Sequence, residues 1–490
     1  MSDIILAIDQ GTTGSTAVLI DSDLKVLAAV NEEFPQIYPK AGWVEHDPEA
    51  IWASVRSVVK NAIKQAECSA SDIAAIGITN QRETVVGWER DSGRAIHNAV
   101  VWQCRRTRDR CQELKEAGKE ELFRKRTGLL LDPYFSGTKI EWILDRVSGS
   151  REHAGELAFG TIDSYLVWRL TRGRVHVTDF SNASRTLLMN LEEGAWDPEL
   201  AYELNIPLSV MPEIRSNAEV YGETRGLDFL PDGIPIAGMA GDQQAALFGQ
   251  TCFEVGEAKC TYGTGAFLLM NTGDEPVFSE HGLLATGGWK VDDETVYALE
   301  GSAFIAGAVV QWLRDEVGFF GNAEDSESLA ASVPDSDGVV FVPAFTGLGA
   351  PHWKPDARGV LWGITRGTKS AHIARAALEG IAFQCRDILE AMEKDLGEPL
   401  RLLRVDGGAA ANNLLMQFQA DILDTEISRP HMLETTALGA ALLAGLGSGI
   451  FADLREVRES WREERRFSPA MDEKSRRSHL DRWESGLNRV

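Results

Sequence analysis

The sequence predicts an α/β protein of two related domains, spanning residues 1–249 and 250–490. Three observations lead there. Short apolar runs alternate with stretches of helical periodicity through the first half, the pattern of layered sheets and helices. A unit of strand, Gly/Thr turn and strand opens the chain and reappears near residue 258, a weak internal repeat. No low-complexity linker interrupts the chain, and at 44% hydrophobic and 25% charged residues it can bury a large core.

The elements follow in order. Residues 4–8 read as a strand, 9–14 as a polar turn, 17–20 as a second strand and 26–30 as a third. Asp47-Pro48 has the form of an N-cap and first helical position. After it Ile51, Val55, Val58, Val59, Ala62 and Ile63 recur at helical spacing. Residues 73–79 form an apolar strand that ends at Asn80-Gln81-Arg82-Glu83, with 84–88 expected to continue the same sheet. In the second half, 258–262 and 266–271 flank the turn Gly263-Thr264-Gly265. Helices are expected over 302–316 and 370–396, a buried Ala/Gly-rich helix and its exit over 437–452, and a solvated surface helix over the charged tail 455–490.

Charge narrows the function. Lys and Arg number 49 against 74 Asp and Glu, a net charge of −25. Nucleic acid and anionic membrane surfaces both demand a basic footprint, which this chain lacks overall. No 18-residue apolar run is present, so no membrane insertion is expected. The N-terminus lacks the basic and apolar regions of a signal peptide, and the six scattered cysteines contain no CxxC pair. Both point to a cytoplasmic protein with reduced thiols.

Three glycine turns, 11–14, 263–265 and 407–409, are candidate phosphate cradles. Glycine admits close approach of backbone N–H groups to an anion, and threonine adds hydroxyl donors. The same turns equally suit plain strand connections. No GxxxxGK[ST] or protein-kinase motif set is present, so phosphate must be held by such turns together with a metal. Asp9 and Asp242 each end an apolar strand. A carboxylate there suits water-mediated Mg²⁺, a general base for a hydroxyl, or a helix cap. Adjacent Arg82 and Glu83, with Trp102 and Tyr134 in polar surroundings, offer the donors and acceptors a polyol needs; a solvated ion pair is the plainer reading. His46, His281 and His352 show no ligand spacing.

Taken together the motifs resemble the FGGY carbohydrate kinases, and within them the members that phosphorylate glycerol. The runs that carry the resemblance are Ala7-Ile8-Asp9-Gln10-Gly11-Thr12-Thr13, Gly77-Ile78-Thr79-Asn80-Gln81-Arg82-Glu83-Thr84, and Val101-Trp102-Gln103-Cys104-Arg105-Arg106-Thr107. They continue with Asp132-Pro133-Tyr134-Phe135-Ser136-Gly137-Thr138-Lys139, Gly241-Asp242-Gln243-Gln244-Ala245-Ala246-Leu247, Tyr262-Gly263-Thr264-Gly265, and Val405-Asp406-Gly407-Gly408-Ala409-Ala410-Ala411-Asn412-Asn413.

The resemblance implies two actin-like, ribonuclease-H-like ATPase domains flanking a deep cleft. It implies transfer of the ATP γ-phosphoryl group to glycerol, with ATP and Mg²⁺ required. Thr12, Thr13, Gly14 and Thr16, with Thr264 opposite, would face the ATP phosphates, and Gly307, Gln311, Gly408 and Asn412 the nucleoside. Thr16 stands where relatives often carry arginine, and Gly14 where they carry serine. Arg82, Glu83, Trp102, Tyr134, Asp242, Gln243 and Phe267 would form the polyol pocket. Asp242 would be the catalytic base, and Asp9 and Asp242 would stand at the metal. Relatives are dimers or tetramers, so a homo-oligomer is expected. The segment after Tyr221 lacks the basic, Gly-rich character of a sugar-bisphosphate site, so such inhibition is expected to be weak or absent. Two other readings stay open: a sister kinase for another polyol or ketose, and an actin-like or chaperone-like ATPase, which needs no polyol pocket.

Overall fold

The computed structural model describes residues 3–432 and 434–490. Its first sheet has six strands: β1 (Ile4–Gln10), β2 (Gly14–Asp21), β3 (Val26–Glu33), β4 (Ile73–Asn80), β5 (Ala218–Glu223) and β6 (Pro235–Gly241), in the order β5-β6-β4-β1-β2-β3. The second has seven: β7 (Glu257–Tyr262), β8 (Ala266–Gly273), β9 (Leu284–Val291), β10 (Glu294–Ala303), β11 (Leu402–Asp406), β12 (Ile427–Pro430) and β13 (Glu463–Phe467), in the order β9-β10-β8-β7-β11-β12-β13.

The repeat sensed in the sequence is a repeat of pairing. In the first sheet β1 pairs antiparallel with β2 and parallel with β4, which is parallel to β6. In the second, β7 pairs antiparallel with β8 and parallel with β11, which is parallel to β12. The Gly/Thr turn in each case joins the central strand to its antiparallel neighbour.

β1, a central strand covered by helices on both sides, is buried on both faces. Ile4, Leu6 and Ile8 pack under α1 (Pro48–Gln65), whose Asp47 cap accepts a hydrogen bond from the Glu49 amide. Ile5 and Ala7 face the other way, toward a helix from the far end of the chain, Thr435–Gly447. Small residues let that helix lie almost on the sheet. A Cβ on Gly77 would come within 2.1 Å of the Ala440 carbonyl oxygen, and one on Gly238 within 2.3 Å of the Ala444 amide nitrogen. The same core takes in Leu269, Trp289 and Ala298 of the second sheet, so this helix ties the two sheets together.

The structure departs from the sequence reading in four places. Asp9 and Gln10 extend β1, so the first turn is confined to residues 11–13. Strand Val85–Glu89 does not continue the first sheet. It pairs with Leu157–Thr161 in a separate four-stranded sheet, because Glu83 adopts a left-handed conformation (φ 59°) that turns the chain away. Ser302 and Ala303 finish β10, held opposite Phe267 and Ala266, and the helix begins only at Gly307. The charged tail is not one helix. A short helix leads into β13, a charged edge strand, followed by a docked helix, Glu473–Leu487. Trp483 on that helix stacks on Phe383 with ring centroids 5.0 Å apart. The helix over Ser370–Leu396 has the predicted limits.

All six cysteines are free and five are buried. Among the described residues no helix is long and apolar enough to cross a membrane.

Candidate active site

The two sheets set their chemistry-bearing strand ends against each other. On the first, Arg82 and Glu83 follow β4, and Asp242 follows β6 as the first residue of a helix over Asp242–Gly249. Asp242 Oδ1 lies 3.1 Å from Arg82 Nε and accepts a hydrogen bond from the Gln243 amide at 2.7 Å. The cap reading of Asp242 does not hold: Gly241 is the N-cap of this helix, which has no side-chain cap bond, and Asp242 is its first residue. Its side chain remains 33% exposed, whereas that of Arg82 is 2% exposed.

Arg82 is not a surface partner of Glu83. Its guanidinium grips Glu300 from β10 with two bonds, at 2.5 and 3.0 Å, and donates to Tyr134 Oη at 3.3 Å. Arg185 completes the cluster, donating to Glu83 Oε1 at 2.8 Å and to Glu300 Oε1 at 3.0 Å. Burial alone would raise the Glu300 carboxyl, but the two guanidiniums overcome it and hold it at about 2. Burial, and then the Glu83 carboxylate, push the Tyr134 phenol well above its ordinary value, so it stays a donor. The left-handed turn at Glu83 is secured through its carbonyl, which accepts from Ser136 Oγ and Lys139 Nζ, each at 3.2 Å. Lys139 Nζ also donates to the Tyr134 carbonyl.

Trp102 meets Tyr134 edge to face at 5.6 Å, and its indole donates to Thr12 Oγ1 at 2.9 Å. Tyr134, Trp102 and the first Gly/Thr turn thus share a wall. Phe267 sits on β8 opposite Thr261, half-buried, one strand row from Glu300. Gln243 contacts Lys259 Nζ.

The first turn closes with Gly11 N donating to Gly14 O at 2.9 Å. Gly14 has a steric reason: a Cβ there would stand 2.8 Å from the Glu32 carbonyl of β3. Thr16 points its hydroxyl to Asn31, 2.9 Å away. The second turn mirrors the first, with Gly263 N donating to Gly265 O at 2.9 Å. Against it rests the start of the helix Gly307–Asp315, where the Gly307 amide donates to Gly263 O at 2.9 Å. Gln311 lies one turn further on and is exposed. The third turn is no hairpin: Gly407 (φ 84°) backs onto Tyr262, and residues Gly408–Ala411 form a helical turn ending at Asn412, the cap of the next helix. A Cβ on Gly408 would meet open space. Thr264, Gly307 and Gly408 therefore gather at the ends of β7 and β11.

A buried polar chain supports the first turn. His46 Nε2 donates to Gln36 Oε1 at 2.7 Å, while Nδ1 accepts from Gln81 Nε2 at 3.3 Å; Gln36 Nε2 in turn donates to Thr12 O at 3.1 Å. These partners assign the neutral tautomer. Burial brings the imidazole from 6.5 down to about 4. A histidine that resists its proton only when folded stabilises fully above pH 6.5 and loses that contribution as pH falls toward 4. The urea midpoint is expected to drop between pH 7.5 and pH 5 more in the wild type than in His46→Gln, by the equivalent of about 2 kcal/mol. Equal drops would show that His46 does not titrate as described.

Sequence reasoning missed Arg185, Glu300, Lys139 and Lys259. Lys139 lay inside a quoted run, and Glu300 is a lone acid ending the run Tyr-Ala-Leu-Glu inside a buried strand. Arg185 had no signal of its own.

The model for the FGGY family of carbohydrate kinases, N-terminal domain, matches residues 4–249, and that for the C-terminal domain matches residues 258–448. The chain belongs to the FGGY family of carbohydrate kinases. A glycerol kinase of Desulfitobacterium hafniense is 55% identical over the full length of both chains. The structure of Plasmodium falciparum glycerol kinase with ADP superposes at a TM-score of 0.94, with 38% identity, covering 100% of this chain and 98% of that one. A ligand-bound xylulose kinase from Lactobacillus acidophilus, 24% identical over 99% of this chain and 97% of its own, shares the fold at a TM-score of 0.88. The architecture of this FGGY kinase is the two-domain, actin-like one, as the resemblance implied.

Proposed function

We propose that this chain is an ATP-dependent glycerol kinase, forming sn-glycerol 3-phosphate and ADP. One observation carries the reading: Asp242, Arg82 and Tyr134 form a continuous contact chain, walled by Trp102, which reaches Thr12 of the first Gly/Thr turn. Glycerol is small and mostly hydroxyl, so it is selected by paired hydrogen bonds. A site built to bond a hydroxyl rejects analogues lacking it by up to ~10⁴–10⁵. Arg82, Glu83, Tyr134, Asp242 and Gln243 supply donors and acceptors, while Trp102 and Phe267 line the carbon skeleton. Charge sharpens the choice. Three carboxylates (Glu83, Glu300, Asp242) face two guanidiniums (Arg82, Arg185) and the Lys259 ammonium, a balance of charge that suits a neutral alcohol.

In the proposed reaction Asp242 orients a primary hydroxyl of glycerol and accepts its proton. The alcohol oxygen attacks the γ-phosphorus in line, and the bond to the β-phosphate oxygen breaks to release ADP. The Gly/Thr turns bind the phosphates, and the aromatic walls exclude water that would otherwise take the phosphoryl group.

A divalent cation fits beside Asp9. Burial first, then the charges of Asp242 and Glu434, raise its carboxyl to about 7. The part that comes from Asp242 and Glu434 is negative charge which a cation would relieve. Among the described residues no group of three or more His, Cys, Asp or Glu could hold a metal ion directly. Magnesium keeps several waters and needs only one or two carboxylates, so Asp9 and Asp242 suffice. When bound it would neutralise the phosphate oxygens. A cytoplasmic location and a homo-oligomeric state belong to the same reading.

The test is ADP release over a panel of glycerol, dihydroxyacetone, xylulose and gluconate. Glycerol is expected to give the highest kcat/KM and gluconate essentially none. Release that ignores the polyol would point to an ATPase of the actin type, and faster turnover with xylulose to a sister kinase.

A further inference from the structure

Lys259 sits in the middle of β7 and has no exposed surface. An ammonium ion is expensive to bury and persists only where fixed partners compensate it. Here they come from both halves of the molecule. Lys259 Nζ donates to Thr261 Oγ1 at 3.0 Å on its own strand and to Gln243 Oε1 on the helix that begins at Asp242. Burial works against its charge, and the carboxylates of Asp406 and then Asp242 act to keep it.

The contact with Gln243 carries chemical information. A lysine ammonium has three donors and no acceptor, so the amide atom facing it must be the oxygen. The NH₂ of Gln243 is then turned away from Lys259. Among the described residues it donates no hydrogen bond, although Gln243 adjoins Asp242 and is only half-buried. With Lys259 removed, nothing in this contact distinguishes the two flips of the amide, and half of them would present an acceptor to the pocket.

We propose that Lys259 is a positioning residue for the phosphoryl-transfer reaction: it locks the Gln243 amide so that its NH₂ is offered to a hydroxyl oxygen of the acceptor alcohol. The inference rests on the reading of this chain as a glycerol kinase with Gln243 in the alcohol site. It assigns specificity to a residue of the second sheet that does not itself touch the substrate.

A double-mutant cycle on the full chain tests it, with glycerol and ATP as the probes. Lys259→Met is expected to raise the glycerol KM about 10-fold, the scale of one lost hydrogen bond, while kcat changes less than about 3-fold. Gln243→Ala is expected to raise it at least as much. In the Gln243→Ala background, Lys259→Met should add nothing, since its route of action is already gone. The same factor in both backgrounds, or an unchanged KM in a folded Lys259→Met, would overturn the proposal. Gln243→Glu supplies an arm that does not depend on how Lys259→Met folds. It keeps an oxygen on Lys259 and deletes the NH₂, so the KM should rise with thermal stability retained; a native KM there also overturns it. Failure of the parent reading looks different: wild-type ADP release would not depend on glycerol.

Discussion

Asp242→Asn is expected to lower kcat by about 10³-fold or more while nucleotide binding is unchanged. Asparagine has the same shape and keeps an oxygen where Oδ1 lies beside Arg82 and accepts from the Gln243 amide. What it loses is the charge and the capacity to take a proton from the attacking hydroxyl. The expected signature is therefore a collapse of kcat with the glycerol KM nearly preserved. The measurement is single-turnover phosphoryl transfer together with binding of a nonhydrolysable ATP analogue. A variant that turns over at near-native rate would remove Asp242 from the role of base, and binding lost along with turnover would make it a structural residue. The charge matters beyond the proton, because Asp242 is one of the groups that raise the Asp9 carboxyl to about 7.

The second large effect is structural. Glu300→Gln is expected to destabilise the protein by about 3–5 kcal/mol, because Arg82 and Arg185 would both be left buried against an uncharged partner. Glu300 is 2% exposed and makes three of the bonds that hold the two guanidiniums. Its pH dependence has a definite sign. The carboxyl lies at about 2 when folded against 4.5 otherwise, so its contribution is complete above pH 4.5 and is lost as pH falls toward 2. The shift corresponds to about 3 kcal/mol. Urea midpoints of Glu300→Gln, Arg185→Met and the double variant would check it. The double variant should lose less than the sum, since removing Arg185 also removes one of the stranded charges. Strict additivity would mean that the cluster does not act as a unit. Glycerol affinity should fall in Glu300→Gln as well, because Glu300 fixes Arg82 in the pocket.

These two predictions differ in how early they were readable. Asp242 stood out as an acid at the end of an apolar strand, followed by a glutamine pair. Arg82, Glu83, Trp102 and Tyr134 stood out inside short runs of distinctive residues. Glu300 could be named as an odd acid in a strand, but its purpose depends on Arg82, which is 218 residues away along the chain. Arg185 and Glu83 are 102 residues apart. Lys259 reads as one more lysine until the register of β7 turns it toward Gln243. The strand at 85–89 was misplaced for a related reason: one left-handed residue, Glu83, sends the chain into another sheet, and no local hydrophobic pattern records that.

Chemistry-bearing residues and strand–turn–strand units are local properties, set by apolar alternation and glycine placement, and so they are legible along a single chain. Compensation of buried charge is not local. An arginine in the interior takes its partner from whichever strand is brought alongside, and that choice is made by strand pairing and by one helix, Thr435–Gly447, packed almost on the glycines of the first sheet. Folding therefore decided which acids hold Arg82, which way the Gln243 amide faces, and that residues of both sheets meet around the proposed alcohol pocket.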